Sequence, residues 1–242
     1  MLIGPQNSPL LRTLSSNLGA LQQEIAASAR AAHRSEQSVT LVAVSKGHPA
    51  DAVRAAAALG LKDFGESYLQ EAQPKIAQLR DLELTWHFIG RLQANKTRAI
   101  AETFAWVHGL DRLQIAERLS AQRPHYAPPL QLCIQVNVEG EAGKAGVAVD
   151  TVESLARDVL ALPRVKLRGL MCILPEGRGA EADRHSFAAL RALLLRLNER
   201  GLGLDALSMG MSGDFRQAIL EGATLVRIGT ALFGPRQPRS VG

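Results

Sequence analysis

Thr40-Leu-Val-Ala-Val44, followed at once by Ser45 and Lys46, is too short for a helix and too uniformly apolar for a strand with one wet face. It reads as a parallel strand covered on both sides. Leu130-Gln-Leu-Cys-Ile-Gln-Val136 reads the same way, and working outward from these two gives further β-like runs at Asp63–Gly65, Leu84–Ile89, Phe104–Val107, Leu167–Met171, Ala206–Met209 and Leu225–Ile228. Helical patterns separate them, at Ala50–Ala58, Leu69–Leu79, Leu113–Gln122, Val152–Leu162 and Ser186–Arg200, the last ended by Gly201. Strands alternating with helices imply a parallel sheet. Eight such units in about 200 residues favour an α/β fold of the closed (β/α)8 TIM-barrel type over an open doubly wound sheet. An extra helix precedes the first strand: Ser8 and Pro9 form a start signal, and Leu11, Leu14, Leu18, Leu21 and Ile25 recur at helical spacing. No linker or internal repeat interrupts the pattern, so residues 1–242 are expected to form a single barrel domain.

Composition narrows the function classes. With 242 residues, 46% of them hydrophobic, the chain can bury one large core, which excludes disorder for the bulk. No stretch is apolar enough to span a membrane; Phe187–Leu197 is interrupted by Arg191 and Arg196. The net charge of +5 is dispersed and aromatics are only 4%, so the basic patch with stacking platforms of a nucleic-acid binder is absent. Cys133 and Cys172 match neither a disulfide framework nor a CxxC motif, and read as buried free thiols of a reducing compartment. Residues 1–34 contain one acid, Glu24, as a transit peptide would, but their helical periodicity argues for a packed helix instead. A cytoplasmic monomer is expected.

Function in a barrel belongs at the C-terminal strand ends. Lys46 follows an apolar strand directly, where loss of hydration favours the neutral, nucleophilic amine; the alternative is a solvated strand cap. After the seventh candidate strand comes Ser208-Met-Gly-Met-Ser-Gly-Asp214, and after the eighth Arg227-Ile-Gly-Thr-Ala-Leu-Phe-Gly234. Small residues there let backbone N–H groups approach an anion, Ser212 and Thr230 add hydroxyls, and barrels recurrently bind phosphate in these two loops. A lysine and a phosphate cup together describe a site for a phosphorylated aldehyde. Pyridoxal 5′-phosphate is such a molecule, with Arg227 placed to face its ring nitrogen; an ordinary ion pair is the alternative for that arginine. Glu66 and His87 follow or end neighbouring strands and are candidates for the same polar network. Gln93, Asn95 and Lys96 extend that cluster, with Lys96 a candidate second amine, and Lys144 lies in the long loop after the fifth strand.

Seven ordered motifs then carry a resemblance. Val42-Ala-Val-Ser-Lys46, Phe64-Gly-Glu-Ser-Tyr-Leu-Gln-Glu71, His87-Phe-Ile-Gly-Arg-Leu-Gln-Ala-Asn-Lys96, Asn137-Val-Glu-Gly-Glu-Ala-Gly-Lys-Ala-Gly146, Gly169-Leu-Met171 and the two glycine-rich segments above resemble the YggS/PROSC family of pyridoxal phosphate homeostasis proteins. That family is similar to the N-terminal barrel of alanine racemase. The resemblance implies that Lys46 is the Schiff-base lysine, with Ser212, Gly213, Gly229 and Thr230 around the phosphate and Arg227 at the ring nitrogen. Ser67 departs from the asparagine usual after Gly-Glu, which puts in doubt a side-chain amide contact there.

Two functions follow for the same site. Racemisation needs acid/base groups on opposite faces of the substrate, typically the lysine and a tyrosine. Only Tyr68 and Tyr126 are present, one early in a helix and one in a loop leading into a strand, and no second domain is left to close the site. The expectation is therefore a non-catalytic carrier that stores pyridoxal phosphate and supplies it to apoenzymes. An amino acid racemase of the alanine racemase type is the alternative.

Overall fold

The computed structural model describes residues 9–141 and 143–235. Strands β1 (Thr40–Val44), β2 (Asp63–Glu66), β3 (Thr85–Phe88), β4 (Trp106–Leu110), β5 (Leu130–Asn137), β7 (Val165–Met171), β8 (Ala206–Ser208) and β9 (Leu225–Ile228) pair in parallel in the order β4-β3-β2-β1-β9-β8-β7-β5. Pairing of β4 with β5 closes the ring, giving the eight-stranded barrel expected. A two-residue strand absent from the sequence reading, β6 (Val147–Ala148), pairs with the outer end of β5.

The helices α1 (Pro9–Ala31), α2 (Ala50–Ala58), α3 (Leu69–Gln78), α4 (Thr97–Thr103), α5 (Leu113–Gln122), α6 (Val152–Leu160), α7 (Ala180–Glu199), α8 (Phe215–Leu220) and α9 (Thr230–Phe233) surround it. Helix α1 buries Leu14, Leu18, Leu21 and Ile25 and contacts α8 and α9 on one side and α2 on the other. It thereby fills the shell position between the last βα unit and the first. Ser8, expected to open it, lies outside the described residues. Removing one of these leucines, such as Leu14 at 1% exposure, takes about 2–5 kcal/mol from stability.

The largest differences from the sequence reading are in β4 and at the start of α7. Phe104 caps α4 rather than opening a strand, and its apolar character serves an edge-on contact with Phe88 at 5.2 Å in the strand–helix layer. The strand starts at Trp106 and continues through His108. Helix α7 begins at Ala180, six residues before the expected Ser186, with Glu181 and Asp183 in its first turn as the helix dipole favours.

The barrel has two unequal cores. Most buried side chains lie between strands and helices, whereas Val42, Cys133, Met171, Ala206 and Leu225 form a small separate cluster. Buried His87, His108, Ser208 and Arg227 belong to neither cluster and are joined by their own hydrogen bonds. No helix among the described residues is long and apolar enough to cross a membrane.

Candidate functional site

A cavity of about 350 Å³ opens at the C-terminal mouth of the barrel. Its wall brings together six of the eight expected residues: Lys46 after β1, Ser212 and Gly213 after β8, and Arg227, Gly229 and Thr230 on and after β9. Strand register explains the grouping. Val42 pairs with Arg227 across β1 and β9, so the segments that follow both strands, carrying Lys46 and Gly229-Thr230, emerge side by side.

The two glycine loops are joined. The Ala231 N–H donates to Ser212 Oγ at 3.3 Å, tying the loop after β8 to the first turn of α9. Their glycines have different reasons for being there. Gly210 has φ +95° and a Cβ on it would lie 2.7 Å from Ala218 Cβ, so the turn itself demands glycine. Gly213 has no such demand: φ is not in the left-handed region and a Cβ would meet nothing within 4 Å. Because Gly213 lines the cavity, bare backbone there leaves room for a ligand group to reach the peptide N–H groups, which fits a phosphate.

Arg227 is 4% exposed and its guanidinium donates to Ser208 Oγ at 2.6 Å and to the Cys172 carbonyl at 2.9 Å. Burial lowers its pKa from the usual arginine value. Asp214 and Asp183 share the cavity wall; burial raises the Asp214 carboxyl, and the Met211 N–H donates to it at 2.5 Å. Those carboxylates oppose an anion, so a phosphate held in this cavity would rely on the N–H and hydroxyl donors of the two loops.

Glu66 and His87, the other two candidates, are not among the residues lining that cavity. A Cβ on Gly65 would face Val42 and Val44 inside the barrel, so its neighbour Glu66 points outward to the helix layer, by the two-residue period of a strand. There its Oε1 accepts from Ser45 Oγ at 2.7 Å and from Lys75 Nζ at 2.5 Å. Burial raises the Glu66 carboxyl, and the charge of Lys75 opposes that shift. Lys75 also donates to the Ser45 carbonyl at 2.8 Å and to Glu71 at 3.0 Å, and Glu71 accepts from the Gly47 N–H at 2.5 Å. The residues on both sides of Lys46 are thus gripped by one buried ionic cluster, which the sequence reading missed. His87 lies inside the barrel between Asp63 Oδ1 at 3.0 Å and His108 at 2.9 Å.

Other candidates fall elsewhere. Gln93 and Asn95 are exposed, and Lys96, on the same short turn, donates to Gln70 at 3.4 Å away from the cavity wall. Lys144 pairs with Glu141 at 2.5 Å and lines a neighbouring cavity of about 290 Å³, which shares Ile173 and Pro175 with the first. Cys133 and Cys172 are free and buried, as expected, with thiols pushed up to about 12 by burial. Ser67, the departure from the family pattern, lines the mouth cavity.

Comparison with known proteins adds an independent line. The model of the alanine racemase N-terminal domain matches residues 16–237. The pyridoxal phosphate homeostasis protein of Pseudomonas aeruginosa is 57% identical over 227 residues, covering 93% of this chain and 97% of that one. Its counterpart in Escherichia coli K12 is 44% identical over 233 residues, with 93% and 98% covered. Among solved structures, PipY of Synechococcus elongatus with pyridoxal phosphate bound superimposes with a TM-score of 0.80 at 38% identity, over 91% of this chain and all of that one. Alanine racemase from Corynebacterium glutamicum, at 20% identity and a TM-score of 0.70 over 96% of this chain and 63% of its own, shares the fold. The barrel, the ordered motifs and these identities agree: the chain belongs to the alanine racemase N-terminal domain family and, within it, to the pyridoxal phosphate homeostasis proteins.

Proposed function

We propose that this protein binds pyridoxal 5′-phosphate at the barrel mouth, holds it as a Schiff base on Lys46, and serves cofactor homeostasis in the cytoplasm as a non-catalytic, monomeric, single-domain carrier. One observation carries the reading: a single cavity collects an amine, a buried guanidinium and two glycine loops with hydroxyls. When bound, the cofactor supplies an aldehyde for a lysine and an anion for the loops. Lys46 would hold that aldehyde through its amine. Ser212, Gly213, Gly229 and Thr230 would hold the phosphate, and Arg227 would face the ring nitrogen. A guanidinium there would disfavour protonation of that nitrogen, which would weaken the ring as an electron sink and suit storage over turnover. The PipY structure with pyridoxal phosphate bound, and the homeostasis role named for the Pseudomonas and Escherichia relatives, support the assignment.

The racemase alternative needs a second acid/base group facing the lysine across the substrate. Tyr68, half exposed at the start of α3, and Tyr126, 90% exposed ahead of β5, are not among the cavity-lining residues, which favours the carrier. Solvent exchange of α-deuterated amino acids by the loaded protein decides between them. The carrier reading expects no exchange above Lys46→Ala, together with recovery of activity when a pyridoxal phosphate-dependent apoenzyme is mixed with loaded protein. Lys46-dependent exchange would establish the enzyme instead.

A further inference from the structure

The barrel interior holds a chain of hydrogen bonds that ends at Arg227. Asp63 opens β2, with its side chain 30% exposed, and meets His87 Nε2 on β3 at 3.0 Å. His87 Nδ1 lies 2.9 Å from His108 Nε2 on β4. His108 Nδ1 lies 2.6 Å from Ser208 Oγ on β8, across the barrel, and Ser208 Oγ accepts from Arg227 on β9 at 2.6 Å. Both rings are buried, at 0% exposure for each residue.

The carboxylate end fixes the protons along the chain, and the guanidinium end is compatible with that order. A guanidinium can only donate and an ionised carboxylate can only accept. Ser208 Oγ accepts from Arg227, so its single proton is available for His108 Nδ1. His108 must then carry its proton on Nε2 and donate to His87 Nδ1, and His87 must carry its own on Nε2 and donate to Asp63. Reversing the chain sets the bare His87 Nε2 against the Asp63 carboxylate, or requires an extra proton in a buried ring. Burial lowers the pKa of both histidines, which opposes that extra proton.

We infer that Asp63, His87, His108 and Ser208 form a one-directional relay of positioning residues that aims and orients Arg227 at the cofactor ring from the opposite wall of the barrel. The inference rests on the reading of Arg227 as the ring-nitrogen partner. A merely structural histidine pair needs only good packing, with Trp106 stacked on His87 at 5.6 Å. The relay needs a fixed direction.

Two measurements test it on the full-length protein. Long-range nitrogen–proton correlation spectra of histidine-labelled protein, without added cofactor, distinguish the two neutral forms of each ring and the doubly protonated form. The relay requires His87 and His108 both neutral with the proton on Nε2, and requires Asp63→Leu to shift His87 toward the Nδ1 form. The second measurement is equilibrium uptake of pyridoxal phosphate. Ser208→Ala and His108→Leu should each weaken it about tenfold, the scale of one hydrogen bond to a charged group. His108→Gln, which can accept from Ser208 and donate to His87, should recover to within about threefold of wild type. Ser208→Ala carries this arm if His108→Leu does not fold. A ring protonated on Nδ1 or on both nitrogens in the wild type overturns the relay, as do Asp63→Leu spectra with His87 unchanged and variants that bind like wild type. Failure of the underlying reading looks different: wild-type protein would take up no pyridoxal phosphate, or Arg227→Gln would bind it undiminished, and the spectra of the unloaded protein would still judge the relay.

Discussion

Two lysines flank the end of β1, one on each side of the sheet. Lys75 lies behind the strand end, 5% exposed, with its three donors engaged by Glu66, Glu71 and the Ser45 carbonyl. Lys46 lies in front, partly buried on the wall of the mouth cavity. The strand pleat separates them: Val42 faces inward and Lys46 follows on that side, while Ser45 faces the helix layer. Position relative to the sheet decides the surroundings of each lysine here. The outer amine is a strut behind the backbone that carries the inner one, and the inner amine lies on the cavity wall.

The largest effect that could break this comparison belongs to Lys46→Ala, which should abolish retention of pyridoxal phosphate through gel filtration while leaving the melting temperature nearly unchanged. Lys75→Met should do the reverse. It leaves Glu66 buried beside an apolar chain and is expected to lower unfolding free energy by about 3–5 kcal/mol in urea titration, with cofactor still attached to Lys46 at low temperature. Adding Glu66→Gln should recover a large part of that loss, because the unpaired charge is then gone. Equal loss of cofactor in both single variants would collapse the distinction.

Acid sharpens the contrast between the barrel interior and the shell behind it. Burial depresses His87 and His108 below the ordinary imidazole value of 6.5, with Asp63 partly offsetting the shift at His87. A depressed folded-state pKa means the unfolded chain binds more protons once pH falls below 6.5, so their contribution to stability is present above that value and is lost as pH falls toward the folded values. The slope should reach about 1.4 kcal/mol per pH unit for each histidine. Glu66 has the opposite sign. Its raised carboxyl contributes stability below the ordinary 4.5 that is lost as pH rises, so it cannot cause a loss on acidification near 6. Denaturant midpoints across pH 5–8 should therefore slope in wild type and flatten in His87→Gln/His108→Gln.

The smallest effect concerns the loops. Ser212→Ala or Thr230→Val should weaken pyridoxal phosphate about tenfold and leave unphosphorylated pyridoxal nearly unaffected, measured by equilibrium dialysis. Equal weakening of both would remove the phosphate from these loops.

The strands and the six mouth residues were legible because a covered parallel strand is an apolar run, and the polar residues after such a run fall at the barrel's C-terminal end. Which way a residue faces was not. Glu66 and His87 sit at or near strand ends just as Lys46 does, but the side each one takes depends on register: Gly65 pairs with Val44 on one side and with His87 on the other. Register is a tertiary fact. His108 was missed because the expected strand stopped at Val107; alternation of Trp106 and His108 with Val107 was the signal that could have extended it. The Lys75 cluster had only the i,i+4 spacing of Glu71 and Lys75 as a local sign, since Glu66 on β2 and the turn after β1 meet α3 only when the shell closes on the barrel.

On the proposed reading Lys46, and not Lys75 or the surface amines, carries the cofactor. Borohydride reduction of the pyridoxal phosphate-loaded protein followed by peptide mapping tests it most directly. One dominant pyridoxyl adduct is expected, on the peptide containing Lys46, and none on the Lys75 peptide. An adduct spread over several lysines, or one that persists unchanged in Lys46→Ala, would contradict it.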